Sequence, residues 1–487
     1  MEEFILADIS RLPAITFILF GWLLRVVALF VVPRNRPPTS GMAWLMLIFI
    51  SPILGWIAFL LIGSSKLPKN RQNLQARVDR YLEAIDQGDH TAKEAVNKKY
   101  TKTVDLAERL VHMPVAYCDR YEVISDYDEV FSRLAQDIDN AKEVVNVNFY
   151  IMVLDNSTEK VVAAIERAHK RGVSVYVLYD DYCRWSLRYR RRFKLLRLRL
   201  ESAGVRYVAS LPMTLSFKKY LRPDLRNHRK LVTIDHYLAY TGSQNLIDKT
   251  YHRKDSISYK ELVVRLEGDI AKHIEIVFAT DWLSETKENI LLLDPTSRRR
   301  NNNTNLRVQV VPSGPGYLDE NNLKVFTSLF YEAEKSITIV NPYFVPDDSL
   351  MTALTSAVKR GVRVTMLNSD VIDQLFVGHA QRSYYEQLLE AGVNIHLHKK
   401  PELVHSKFIV VDDEVSAVGS SNLDIRSLVL DSELTLLVYG EQFASSLQAI
   451  ADSYLANSRQ LDKQSWSARP ATHKLFDNIA RLTSSLQ

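Results

Sequence analysis

Two histidines, His228 and His405, each stand two residues before a lysine (Lys230, Lys407) and seven before an aspartate (Asp235, Asp412). Gly242, Ser243 and Asn245 follow His228 by 14, 15 and 17 residues, and Gly419, Ser420 and Asn422 follow His405 by the same intervals. One such match arises by chance; two copies agreeing at six positions do not. A His-x-Lys pair on a strand points both side chains to one face, setting an imidazole beside an ammonium. Two such faces brought together let one histidine attack while the other moves protons. Two lysines and two asparagines supply donors for phosphate oxygens, where charge builds in the transition state. The set suits exchange at a phosphodiester with no metal and no other cofactor. A metal is not expected, because each lysine would repel a cation and no carboxylate or cysteine cluster accompanies the histidines. The paired frame also argues against two merely structural histidines.

The surrounding pattern supplies elements to carry these residues. Lys230–Asp235 (KLVTID) and Lys407–Asp412 (KFIVVD) read as strands. Upstream of the first, Val144–Met152 is an apolar strand, Ser157–Arg171 an amphipathic helix and Val173–Asp180 a second strand. Upstream of the other copy, Ser336–Phe344, Asp348–Arg360 and Val362–Asn368 repeat that order. Both are βαβ units, which imply parallel strands. The chain is therefore expected to be α/β, with two pseudo-symmetric halves forming one catalytic unit. The first half carries 12 more residues between its glycine stop (Gly172 against Gly361) and its histidine, an excess expected near Arg188–Arg199. That stretch holds seven basic residues and reads equally as a solvated helix face or as a dock for anionic headgroups. In the second case each basic residue contributes about 1 kcal/mol.

At 487 residues, 46% apolar and 24% charged, the composition is that of a globular protein. The net charge of +5 permits an anionic partner without demanding one. Cys118 and Cys183 read as two reduced thiols. Residues 13–33, with only Arg25 charged, and residues 43–62, with no charge, predict a two-helix transmembrane hairpin over 1–65. Pro52 is a candidate kink in the second span. The basic residues flanking the hairpin on the side of the large C-terminal part outnumber those in its loop, placing that part in the cytoplasm of a multi-pass cell-membrane protein. The remaining divisions are a connector over 66–118, the first half over 119–293, a linker over 294–305 and the second half over 306–487. At the end, Leu475, Phe476, Ile479, Leu482 and Leu486 share a helical face, expected to dock onto the protein rather than onto a membrane.

The two motifs, together with Asn341–Asp347 (NPYFVPD), Leu403–Lys407 (LVHSK) and Gly419–Ser427 (GSSNLDIRS), resemble those of the phospholipase D superfamily. Within it they are similar to the bacterial cardiolipin synthases, as is the N-terminal hairpin. The resemblance covers nearly the whole chain. It implies that one histidine attacks the phosphorus of phosphatidylglycerol and expels glycerol. The other protonates the glycerol, then activates a second phosphatidylglycerol, giving cardiolipin. By analogy His228 is the nucleophile and His405 the acid/base, a choice the symmetry of the sequence leaves open. Lys230, Lys407, Asn245 and Asn422 hold the phosphate. Glu433 and Glu261 orient the histidine of their own half, with Ser243 and Ser420 supporting, and Asp235 and Asp412 complete the catalytic set as supporting residues, or stand only as charged strand ends. The expected partners are phosphatidylglycerol and the membrane, not nucleic acid. A hydrolase, or a transphosphatidylase using another alcohol, shares all of these residues; an inert lipid-binding protein would not keep both motifs intact. Two places depart from the synthases: Thr241–Asn245 (TGSQN) stands where they show Gly-Gly-x-Asn, and Tyr259–Glu261 (YKE) where they show Trp-Arg-Asp.

Overall fold

A computed structural model describes residues 2–34, 36, 38–84, 91–214, 220–251, 257–290 and 306–482. The expected linker over 294–305 and Leu486 lie outside the described residues. The described chain forms two compact units, Met1–Leu67 and Pro68–Gln487.

In the larger unit, two sheets are built on one plan. The first runs, in spatial order, Arg120–Ile124, Val263–Glu267, Leu238–Gly242, Lys230–Ile234, Val144–Phe149, Ser174–Asp180 and Arg206–Ser210. The second repeats it as Leu306–Ser313, Glu433–Tyr439, Val415–Gly419, Phe408–Val411, Ser336–Val340, Arg363–Ser369 and Asn394–His398. It carries one further strand at each edge, Ala116–Cys118 and Ser458–Gln460. The βαβ strands pair in parallel, Val144–Phe149 with Ser174–Asp180 and Ser336–Val340 with Arg363–Ser369. Short helical crossovers, Glu159–Lys170 and Asp348–Lys359, leave no other pairing within reach. Both motif strands are buried along their length, so the strand bearing each lysine is central. Ala116–Cys118 joins the second half's sheet before the chain has built the first half.

The 12-residue excess is not in the basic stretch. Helix Arg190–Ala203 is the counterpart of helix Leu375–Ala391, and each joins the corresponding two parallel strands. The surplus falls almost wholly between Ser210 and His228, where the other half runs only from His398 to His405. Basic composition misled because these arginines occupy an ordinary crossover helix, with Phe193, Leu196 and Leu200 buried beneath it.

The C-terminal face is also corrected. Helix Ala471–Leu482 packs through its opposite side: His379 bonds Asp477 at 2.8 Å, Lys474 bonds Glu386 at 3.2 Å, and Ala480 is buried. Leu475, Phe476, Ile479 and Leu482 face outward and are 51–83% exposed.

In the smaller unit, helix Glu2–Val31 packs against two shorter helices, Pro38–Ile50 and Pro52–Ile62. The expected second span is thus broken at Ser51, which is extended (φ −136°, ψ 91°), because Pro52 has no N–H to continue the ladder. The two pieces, 13 and 11 residues, are each shorter than the roughly 20 residues a span needs. Among the described residues no helix is long and apolar enough to cross a membrane. Arg25 donates to the Phe49 carbonyl at 3.1 Å, one of the terminal acceptors the break leaves over. Ala28, Val32, Ile48 and Phe59 form a small core, while much of the unit's remaining apolar surface, Phe17, Trp22, Met46 and Leu60 among it, is exposed.

Candidate active site

Each motif histidine enters the site from a short extended segment held by the other half. His228 N–H donates to the Ser432 carbonyl (2.9 Å), and Ser432 N–H to that of Arg226 (2.8 Å). In the counterpart, His405 and Ser406 N–H donate to the Lys260 carbonyl (2.8 and 3.0 Å). Ser432 and Lys260 immediately precede Glu433 and Glu261. The carboxylates therefore cross over. His228 Nδ1 meets Glu433 Oε1 at 2.8 Å, and His405 Nδ1 meets Glu261 Oε1 at 2.7 Å. This overturns the expectation that each glutamate serves the histidine of its own half. Glu433 opens the buried strand Glu433–Tyr439, and Glu261 lies just before the strand Val263–Glu267, so both carboxylates sit at the meeting of the halves.

Alternation along the strand turns Lys230 and Lys407 to the same side as their histidines. Each ammonium donates to the carbonyl of its own motif's histidine, Lys230 to His228 at 2.5 Å and Lys407 to His405 at 2.7 Å. The charges of His405, Lys230 and Lys407 all bear on His228, so the two motifs share one site. Burial, with Lys230 adding to it, holds the His228 imidazolium well below its ordinary range; burial likewise lowers His405, opposed by Glu261. Burial brings Lys230 down to about 7 and Lys407 to about 8. The two glutamates differ. Burial lifts Glu433 to about 7 against the opposing pull of Lys230; burial also raises Glu261, but His405, Lys407 and Ser243 together bring it below the usual carboxylate value.

Ser420 donates to Glu433 Oε2 and accepts from Leu434 N–H at 3.0 Å; Ser243 accepts from Leu262 N–H at 2.9 Å. The glycine before each serine is required by close approach. A Cβ on Gly242 would lie 2.2 Å from the Leu262 carbonyl oxygen, and one on Gly419 2.1 Å from that of Leu434. Asn245 accepts from Ile151 N–H at 3.1 Å, and Asn422 is buried nearby on the matching turn.

Asp235 and Asp412 are not with the other motif residues. They lie at the far ends of the motif strands, both in left-handed turn positions (φ 50° and 54°) that a short polar side chain tolerates. Asp235 accepts from the backbone N–H groups of Lys142, Glu143 and Val144 (2.8–3.1 Å). Asp412 does the same for Glu334, Lys335 and Ser336 (2.6–2.9 Å) and also pairs with Lys99. Each ties the start of the neighbouring central strand to its turn, away from the histidines and lysines. Asp412→Ala is expected to lower folding stability by about 2–4 kcal/mol, since it strands buried donors. Turnover per folded molecule should stay within about twofold. Denaturant melts and an active-site titration check both, and a collapse of turnover in fully folded protein would restore a catalytic role.

Aromatic rings wall the histidines. Tyr150 lies edge-on to His228 (4.8 Å between centroids) and under the Lys230 ammonium (5.4 Å). Tyr259 and Tyr343 lie edge-on to His405 (5.5 and 6.3 Å), and both hydroxyls donate to Asp373, at 3.0 and 2.8 Å. Of the two departures, Tyr259 therefore touches the site. Gln244 turns away, donating to the Tyr127 carbonyl at 2.9 Å. No spacing in the sequence marks Tyr150; Tyr343 stood inside the Asn341–Asp347 stretch and Tyr259 in the Tyr259–Glu261 departure. Among the described residues no group of three His, Cys, Asp or Glu is placed to hold a metal ion.

Comparison with known proteins bears on this geometry. The family described as "Cardiolipin synthase, PLD-like domain" matches residues 134–282 and 326–455, one segment in each half. Cardiolipin synthase A of Proteus mirabilis (strain HI4320) is 32% identical over 485 residues, 97% of this chain and 98% of the relative. The chain belongs to this family. As a family member it is an enzyme of the phospholipase D superfamily. Cardiolipin synthase A of Yersinia pseudotuberculosis serotype IB (strain PB1/+) is also 32% identical, over 96% of this chain and 97% of that one. Residues 23–64 match the phospholipase D-nuclease N-terminal family. In fold, the family member is similar to the phosphatidylserine synthase of Haemophilus influenzae Rd KW20, with a TM-score of 0.60 at 14% identity over 79% of this chain and 100% of that one.

Proposed function

We propose that the protein is a membrane-associated phosphatidyltransferase that makes cardiolipin and glycerol from two phosphatidylglycerol molecules. The observation that carries this reading is the pair of crossed His–Glu contacts, which hold both histidines, each with its buried lysine, at the meeting of the halves. With Nδ1 held by Glu433, His228 presents Nε2 as the nucleophile. It bonds to phosphorus; the phosphorus–glycerol bond breaks and its electron pair leaves with the glycerol oxygen. His405 Nε2–H supplies the proton. The phosphodiester's own charge, seated against Lys230 and Lys407, favours the imidazolium form that this requires. In the return step His405 takes the proton from a hydroxyl of the second phosphatidylglycerol, whose oxygen displaces His228. Asn245 and Asn422 complete the phosphate cradle. A bilayer would cover the apolar surface of the N-terminal unit, and a two-span hairpin remains our reading of its sequence, with the larger unit on the cytoplasmic side.

Labelled phosphatidylglycerol in vesicles, incubated with the purified protein, is expected to yield cardiolipin and glycerol in equal amounts. Phosphatidic acid in place of cardiolipin would make water the acceptor; no turnover would reject the assignment. The pH profile of kcat/KM follows from the site. Its alkaline limb should begin below the usual histidine range, as His405 loses its proton, and steepen between about pH 7 and 8 as Lys230 and Lys407 lose the protons that attract phosphate. Because His228 is lowered, the acid limb should lie below the usual histidine range. Lys230→Arg should move the alkaline limb upward, and an unmoved limb would detach it from Lys230.

A further inference from the structure

The helices Arg190–Ala203 and Leu375–Ala391 occupy equivalent places in the two halves, and each is entered through exposed apolar side chains. Trp185 (53% exposed) and Leu187 (79%) precede the first; Leu375 (65%) and Phe376 (66%) begin the second. Both groups follow, within a few residues, side chains that pack around the histidines. Tyr182, three residues before Trp185, stacks on Tyr150, the ring against His228. Asp373, two residues before Leu375, holds the tyrosines against His405. The repeat therefore gives each half one apolar prong, joined through the chain to the surroundings of its own histidine. Water disfavours such a paired display, and monomeric surfaces rarely keep one without a partner.

We infer that this rim docks on an anionic phospholipid bilayer, with Trp185, Leu187, Leu375 and Phe376 entering the acyl boundary and the arginines beside them meeting headgroup phosphates. Charge selects that occupant. Of the eight Lys or Arg in residues 184–199, Arg184, Arg192, Arg197 and Arg199 pair with carboxylates, which leaves Arg188, Arg190, Arg191 and Lys194 to face an anionic surface. On the helix they cover, Arg191 and Lys194 are exposed alongside Leu195 and Leu198, on the side opposite buried Phe193, Leu196 and Leu200. Basic groups interleaved with leucines on one outward face suit an interface lined with anionic headgroups. Docking there would let a lipid's phosphate reach the histidines while its chains stay in the bilayer. The inference rests on a bilayer phospholipid being the substrate.

The test uses the full chain in proteoliposomes. Cys118 and Cys183 are buried, so an environment-sensitive maleimide dye would report L187C, F376C or, as a control, Q442C beyond the far end of the Glu433–Tyr439 strand. Acyl-brominated lipid in phosphatidylglycerol-containing vesicles is expected to quench the dye at 187 and 376 and not at 442. Equal, weak quenching at all three would overturn the inference. So would a dye shielded from water that brominated lipid fails to quench and dilution exposes, the sign of a second copy on the rim. Lipid turnover in the same vesicles separates the two readings: turnover with unquenched dyes overturns only the docking, and quenched dyes without turnover keep it and overturn the transfer reading. Replacing Trp185, Leu187, Leu375 and Phe376 together by Ser should cut turnover on vesicles at least about tenfold while sparing a dispersed short-chain phosphatidylglycerol. Equal losses on both substrates would overturn the docking role.

Discussion

His228→Ala and His405→Ala are each expected to lower cardiolipin formation by at least about a thousandfold, because each removes a group that makes or breaks a bond in both half-reactions. The two losses should differ in kind. With radiolabelled phosphatidylglycerol and a rapid denaturing quench, His405→Ala protein should accumulate lipid covalently bound to the chain. It can still form the phosphorus–nitrogen bond, slowly, but cannot activate the second alcohol. His228→Ala protein should bind no label at any time. Label on His228→Ala and none on His405→Ala would exchange the two roles, which the geometry permits, since both imidazoles are held through Nδ1.

Glu433→Gln should cost about a hundredfold to ten-thousandfold in kcat with little change in fold, the cost of losing the tautomer and the stabilised imidazolium rather than the ring. Since Glu433 holds His228 across the junction, its variant should resemble His228→Ala in the trapping experiment and form little adduct. Glu261→Gln, acting on His405, should resemble His405→Ala and let adduct build up. If each glutamate instead followed the histidine of its own half, the pattern would reverse, and the crossed contacts would not operate in solution. Because Glu433 is lifted to about 7 and Glu261 lowered, the penalty for Glu433→Gln should shrink as the pH falls below 7, where Glu433 is itself losing its charge.

The repeat made the architecture legible. Equal spacing from histidine to lysine, glycine, serine and asparagine requires equal strand–turn–strand geometry, and the two sheets have it. The βαβ units were readable because buried parallel strands are apolar throughout and their crossover helices are amphipathic. What spacing cannot carry is which half a projecting side chain reaches. Glu433 and Glu261 lie at matching places in their own halves, and nothing in the order of residues says that they reach across. The aspartate of each motif shows the same blindness: its fixed distance from the histidine reflects the length of a strand, and its partners are backbone amides that any sequence would offer. The C-terminal leucine face was read as buried because amphipathicity marks one face as different without saying which face meets the protein. In the N-terminal unit Pro52 was legible as a kink, but the apolar run around it did not say that one helix would end there and another begin.

The crossed glutamates also bear on how such a molecule arises. A lone half would own a histidine, a lysine and a carboxylate, yet its carboxylate would be out of reach of its own imidazole. Activity in a single-repeat ancestor would have demanded a symmetric homodimer, each copy lending its glutamate to its twin through an isologous contact. Joining two copies in one polypeptide removes the concentration dependence of that encounter and frees the copies to diverge. The unequal environments of Glu433 and Glu261 are what such divergence looks like: one chain in which attack and proton transfer no longer need to be interchangeable.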